Sequence, residues 1–294
     1  MNRVATTADS AWRALHQAAC APYRRSGHFA WHFARGKLGR DPVFRAMLER
    51  GHLAGGRRVV DIGCGQGLLA SLLQACDDLA RAGQWPQESP RESPRESPPE
   101  SPPESPRDWP RDWPRDWPRD WPRDWPLDWP AWQLPQHAQA ARYTGIELMP
   151  RDIARATSAL STLASQPRFV CADMCQAELP TCDVVVILDV LHYVDHAAQA
   201  VLLQRVRSAL APQGRLLLRV GDVAHTLGYA ISQWVDRSVT RIRGHRVAPT
   251  WGRTVVQWSA LLTELGFTVQ TQPMSRGTPF ANVLLVCDLP QGAA

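Results

Sequence analysis

At 294 residues and a formal net charge of +5, the chain is long enough for one large domain or two small ones. Its seven cysteines, an odd number without CxxC spacing, argue against a disulfide framework or a zinc site. No apolar run reaches the length of a signal peptide or a membrane span, so a reduced, cytoplasmic setting is expected.

In chain order, the first 54 residues read as a helical cap, and Asp41-Pro42 marks a helix start within it. Val59, Val60 and Ile62 predict a short buried strand, followed by a glycine turn. Leu68, Leu69, Leu72, Leu73, Cys76 and Leu79 then recur at helical spacing, and Gly83 is placed to end that helix.

From Gln84 to Gln136 the pattern breaks. Five tetrapeptides ending in ESP are followed by six ending in DWP, and the segment holds 15 of the 25 prolines and 8 of the 13 tryptophans. Proline at every fourth position removes a donor and fixes φ, so neither helix nor central strand propagates. The reading is a disordered surface insertion, with a multivalent Trp/Pro ligand as its functional alternative. Seven arginines against eleven acids give it −4, which leaves +9 on the rest of a chain whose total is +5. That excess favours an anionic substrate, an acidic protein partner or a phosphate-bearing surface, and serves solubility equally well.

Beyond the insertion, 141–148 predicts a second strand and 150–165 a helix. A third strand is expected over 168–173 and a fourth, apolar on both faces, over 182–189. Asp195 can cap the next helix, which Gly214 follows, and 215–220 gives a fifth strand. A helix over 258–266 leads into two closing strands, FTVQTQP and ANVLLVCDL, whose short link makes them antiparallel. The fold class is therefore α/β: a doubly wound, mostly parallel seven-stranded sheet with an antiparallel last strand, plus the N-terminal helical cap.

The glycine loop is Asp61-Ile62-Gly63-Cys64-Gly65-Gln66-Gly67. A nicotinamide-type fingerprint needs G-x-G-x-x-G, but Leu68 holds the last position, so an NAD(P)-dependent oxidoreductase is the disfavoured rival. VVDIGCGQG, then GIEL, CADM and DVVVILDVLHYV at successive strand ends, resemble class I S-adenosylmethionine-dependent methyltransferases of the small-molecule type over residues 55–290. The resemblance implies S-adenosylmethionine as cofactor. Asp61, Gly63, Cys64, Gly65 and Gly67 would shape the turn and meet the methionine part. Glu147 would accept from the ribose hydroxyls, its neighbour Leu148 would also border the cofactor, and Asp173, with Met174, would hold the adenine. Asp189 and Val190 would line the wall near the sulfonium.

An ionised carboxylate only accepts hydrogen bonds, which suits a diol or an exocyclic amine. His192 and His225 are the candidate bases should the acceptor be a hydroxyl, against a plainer pocket-lining reading of His192. Nucleic-acid amino-methylases carry Asn/Asp-Pro-Pro-aromatic where this chain has Leu188-Asp189-Val190-Leu191, so nucleic acid is not expected. A small, partly apolar acceptor is expected instead, lipid-, polyketide- or carrier-linked. Tyr23, His28, His32 and Arg35 of the cap are candidates to line its pocket. Residues 228–246, apolar on one face and arginine-rich on the other, are read as a lid, with a membrane-surface helix or a dock for an acidic carrier protein as alternatives. A non-catalytic scaffold that binds partners through the repeat is the rival from a different class.

Overall fold

Valine-, isoleucine- and leucine-rich runs set the architecture, because strands covered on both faces need apolar residues at every position. The computed structural model describes residues 7–53, 58–85, 142–223, 251–274 and 282–290. Their elements are helices α1 (Thr7–Cys20), α2 (His28–Arg40) and α3 (Pro42–Glu49), strand β1 (Arg58–Ile62), α4 (Leu68–Arg81), β2 (Arg142–Glu147), α5 (Pro150–Leu160), β3 (Arg168–Cys171), β4 (Cys182–Leu188), α6 (His196–Ala209), β5 (Leu210–Gly221), α7 (Val255–Glu264), β6 (Thr268–Pro273) and β7 (Asn282–Asp288). A 3-10 turn, Ala21–Ser26, joins α1 to α2, and a second one spans Leu191–Tyr193.

The seven strands form one sheet in the order β3-β2-β1-β4-β5-β7-β6. β7 runs antiparallel to both β5 and β6, while the pairings among β1 to β5 are parallel. Strand alternation divides the core in two. Val59, Val184, Val186, Leu217 and Leu284 face α1 to α4. Val60, Ile62, Val185, Ile187, Leu216 and Leu285 face α6 and α7. The helices that open the chain thus share one core with the sheet.

Several boundaries differ from the sequence reading, and those of α6, β5 and α7 have a local reason. α5 stops at Leu160, short of the expected 165. α6 ends at Ala209, and Gly214 falls inside β5, which begins at Leu210 instead of 215. Pro212 cannot continue a helix and holds its neighbour extended, so the chain enters the sheet early. α7 starts at Val255, three residues before Trp258, because Thr254 and Gln257 form a reciprocal capping box. Asp41 and Asp195 cap α3 and α6 as expected, accepting from the amides of Val43 and Ala198.

Gly83 closes α4 in a left-handed conformation, and the amide of Gln84 reaches back to Leu79. Trp85 then packs into the core with only 6% of its surface exposed. Its two first residues apart, the repeat segment 84–136 lies outside the described residues, as do His225 and the lid candidate 228–246. No helix among the described residues is long and apolar enough to cross a membrane.

Candidate active site

The parallel strands β1, β2 and β4 end on one edge of the sheet, and the glycine turn lies there. The amides of Gly63 and Cys64 both donate to the carbonyl of Ile146, at 2.8 and 3.1 Å, which ties the turn to β2. Gly63, Gly65 and Gly67 all have φ between 54° and 77°, a region that side chains disfavour. A Cβ on Gly63 would stand 2.4 Å from Val190 Cγ1, and one on Gly67 would stand 2.7 Å from the Phe169 ring. Gly65 differs: nothing lies within 4 Å of its missing Cβ, so its backbone faces open space.

Glu147, at the end of β2, turns toward that space. One carboxylate oxygen accepts from the amide of Gly65 and the other from that of Met149, both at 3.0 Å. Beside it Leu148 projects an apolar side chain that is 63% exposed. The amide of Ala172 donates to the main-chain carbonyl of Glu147, so the residues after β3 follow on beside the end of β2. Among them, Asp173 is exposed and accepts from the amide of Cys175 at 2.8 Å, which closes the turn, while Met174 packs against the core.

Asp61 ends up buried, with the Tyr143 hydroxyl donating to it at 2.5 Å. Burial raises its pKa from 3.8 to about 7; the tyrosine bond works against that rise and the charge of Glu147 adds to it. Behind the turn, the Tyr23 hydroxyl donates to the Gln66 carbonyl at 2.9 Å, and the Gln66 side-chain amide donates to Asp152 at 3.3 Å. Tyr23 is wholly buried there, so it supports the glycine turn and does not line an acceptor pocket. His28 and His32 are exposed on α2 with their rings 4.0 Å apart. Arg35 lies over Trp31 in a separate cleft against α1.

At the end of β4, Asp189 adopts φ 61°, a left-handed backbone unusual for a residue with a side chain. Its carboxylate is gripped by the buried guanidinium of Arg219 on β5, with Nε 2.8 Å from Oδ1. The same guanidinium holds Asp41, with NH2 2.8 Å from Oδ2, and Lys37 stands 2.8 Å from Asp41 and 3.8 Å from Asp189. Burial alone would raise the Asp41 pKa, but Arg219 and Lys37 hold it well below the usual carboxylate range. This four-charge lattice fastens the helices that open the chain to the strand ends. The sequence reading took Asp189 as a wall residue and missed the lattice, although an arginine inside the apolar run RLLLRV signals a partnered charge.

The peptide bends from Asp189 into the Leu191–Tyr193 turn, so Val190 covers Gly63 and His192 sits half-buried beyond it. Burial lowers the His192 pKa below 6.5, against the pull of Asp189, so the imidazole is neutral at pH 7. An acceptor-only carboxylate beside the open space over Gly65 suits a ligand rich in hydroxyl donors and positive charge, and repels a diphosphate.

A family model described as a methyltransferase domain matches residues 30–272. An O-methyltransferase family protein from Burkholderia thailandensis shares the fold with a TM-score of 0.52 at 15% identity, over 92% of this chain and 62% of its own. The S-adenosylmethionine-dependent methyltransferase SibL, in its apo form, gives 0.52 at 17% identity, over 90% and 58%. Magnesium protoporphyrin IX methyltransferase from Synechocystis PCC 6803, with bound SAH, gives 0.49 at 17%, over 94% and 97%. The chain therefore spans about three fifths of the first two. No curated protein matches the sequence significantly. The matched residues make up more than four fifths of the sequence, and the chain belongs to the methyltransferase domain family as a class I, S-adenosylmethionine-dependent methyltransferase.

Proposed function

We propose that the enzyme methylates a small, partly apolar metabolite, one attached to a lipid or carrier being within that class. Within the chain, residues 55–290 form the methyltransferase unit, interrupted by 84–136 and preceded by the cap 1–54. The observation that carries the reading is the open space over Gly65 beside the carboxylate of Glu147, which accepts from the Gly65 amide. When bound, S-adenosylmethionine supplies a methyl group activated by a positive sulfur. The residues present fit it: Gly65 leaves room for it, Glu147 keeps lone pairs for ribose hydroxyls, and exposed Leu148 offers an apolar face for the adenine.

Asp173 and Met174 complete the adenine side, while Asp61, Gly63, Cys64 and Gly67 fix the turn that meets the methionine part. Val190, packed on Gly63, sets the wall between cofactor and acceptor, and Asp189 is held in place by Arg219. The acceptor lies over the ends of β4 and β5. On that side, the stripe Phe29, Phe33 and Lys37 of α2 leads to Asp189, with the two phenyl rings stacked 6.1 Å apart and Phe29 exposed. That aromatic stripe supports a partly apolar acceptor. His192, neutral and adjacent, can take a proton from an acceptor hydroxyl; His225 is the other base candidate. All seven cysteines carry free thiols, in keeping with a reducing cytoplasm.

The test is calorimetry with S-adenosylhomocysteine against NADH, followed by a substrate screen reading homocysteine release. Binding of S-adenosylhomocysteine, lost on replacing Glu147 by Ala, supports the assignment of the site. Binding of NADH alone overturns it. A screen that finds turnover only on a nucleic acid or a protein side chain overturns the acceptor class while leaving the cofactor assignment standing.

A further inference from the structure

Three stripes run along α2. Ala30, Ala34 and Leu38 are fully buried against the core. Phe29, Phe33 and Lys37 flank that stripe on the side of Asp189. Trp31 and Arg35 flank it on the opposite side, as positions three and four apart must on a helix. There α1, the first 3-10 turn and α2 enclose a cleft of about 490 Å3. It therefore faces away from the acceptor side of the methyl-transfer site.

The chemistry of this cleft is one-sided. Arg13, His16, Gln17, Arg24, Trp31 and Arg35 line it, and none of its lining residues is acidic. The guanidinium of Arg35 lies 4.7 Å from the centroid of the Trp31 ring, and that of Arg24 lies 5.5 Å from it. Such stacking holds a guanidinium in place and leaves its N–H edge free to donate. Among the described residues, neither Arg24 nor Arg35 forms an ion pair with a carboxylate. Charges nearby are matched, as in Arg45 with Glu49 on α3 and Lys37 of α2 with Asp41. Over 7–53 as a whole, eight basic residues face three acidic ones, and three of the eight line this cleft.

Guanidinium forks grip phosphate oxygens in pairs, and several converging on one concavity select for a multiply charged anion. The volume exceeds that of an inorganic ion and lies within the range, roughly 300–1,000 Å3, of sites for small organic ligands. Trp31 and Ala21 give an organic body something apolar to rest on. We propose that this cleft binds a small organic phosphate, at a site separate from that of methyl transfer. The inference stands whether or not the acceptor class above is right, because no residue of the glycine turn takes part.

Calorimetry on the full-length protein, with inorganic pyrophosphate as the probe, tests it. Expected are stoichiometric binding that weakens with added salt, and a loss of at least about tenfold in affinity on Arg13→Gln with Arg24→Gln. S-adenosylhomocysteine affinity, measured in the same variant, should stay within about twofold and reports that the chain still folds. If the double variant loses both ligands, Arg24→Gln alone is read in its place. The proposal is overturned by any of three results: no pyrophosphate binding at millimolar concentration, binding indifferent to the arginines, or displacement of pyrophosphate by S-adenosylhomocysteine. Binding of a hexaglutamate peptide without pyrophosphate also overturns it, in favour of a protein-docking surface.

Discussion

Gly63, Gly65 and Gly67 share a left-handed backbone, yet alanine should affect them differently. At Gly63 the new methyl meets Val190, and at Gly67 it meets the Phe169 ring, so each adds overpacking of about 1–3 kcal/mol to a backbone cost of about 1–2 kcal/mol. Gly65→Ala carries the backbone term alone, because its Cβ meets nothing. Denaturant midpoints should therefore fall far more for Gly63→Ala than for Gly65→Ala. Calorimetry should show the reverse emphasis at Gly65, with S-adenosylhomocysteine affinity lost out of proportion to stability. Asp61 gives a pH signature. Its folded pKa, near 7, exceeds the unfolded 3.8, so the folded state binds the extra proton between those values and stability declines as pH rises through that window. Asp61→Asn should flatten that slope in denaturation curves recorded across it. The glycine spacing and the strand-end acid were legible in the sequence because backbone geometry and charge type are local properties. Tyr143 and Tyr23, which carry the loop from behind, were not, since nothing local marks a tyrosine as the partner of a residue 82 or 43 positions away.

The Asp41–Arg219–Asp189 lattice acts on whole elements, joining the α2–α3 corner to the ends of β4 and β5. Arg219→Met would leave two carboxylates beside each other with Lys37 as their remaining cation, a loss of about 3–5 kcal/mol in denaturant unfolding. Adding Asp41→Asn should restore part of it, a non-additivity that a double-mutant cycle reads directly. Because Asp41 is held below 3.8, its contribution is present above that pH and is lost as acid protonates it, opposite in sign to that of Asp61. Element types and sheet order followed from periodicity. Element ends did not, because they were decided by particular side chains: Pro212 ended α6 early, and the Thr254–Gln257 box began α7 early. The capping box was there to be found in the T-x-x-Q spacing. The lattice needed a partner for Arg219 that stands 178 residues earlier in the chain.

For the molecule as a whole, the boundary of the interruption matters. Trp85 is part of the core, so Trp85→Ala should cost about 3–5 kcal/mol although it lies inside the segment that composition alone sets apart. Excision of 87–136, with Trp85 kept, should change stability by no more than about 2 kcal/mol, since it is about three halvings of the connection and each changes closure entropy by only about 0.6 kcal/mol. S-adenosylhomocysteine affinity should be unchanged by that excision, and loss of binding would make the repeat a working part of the site.

The two anchor points of the repeat make that indifference intelligible. α4 starts at the glycine turn and carries the chain down the height of the sheet, and β2 starts level with Arg58, at the foot of β1. The described chain therefore breaks off and resumes at the rim remote from the glycine turn. Units copied in tandem between those two points lengthen a connection whose ends both lie away from Gly63, Gly65 and Gly67.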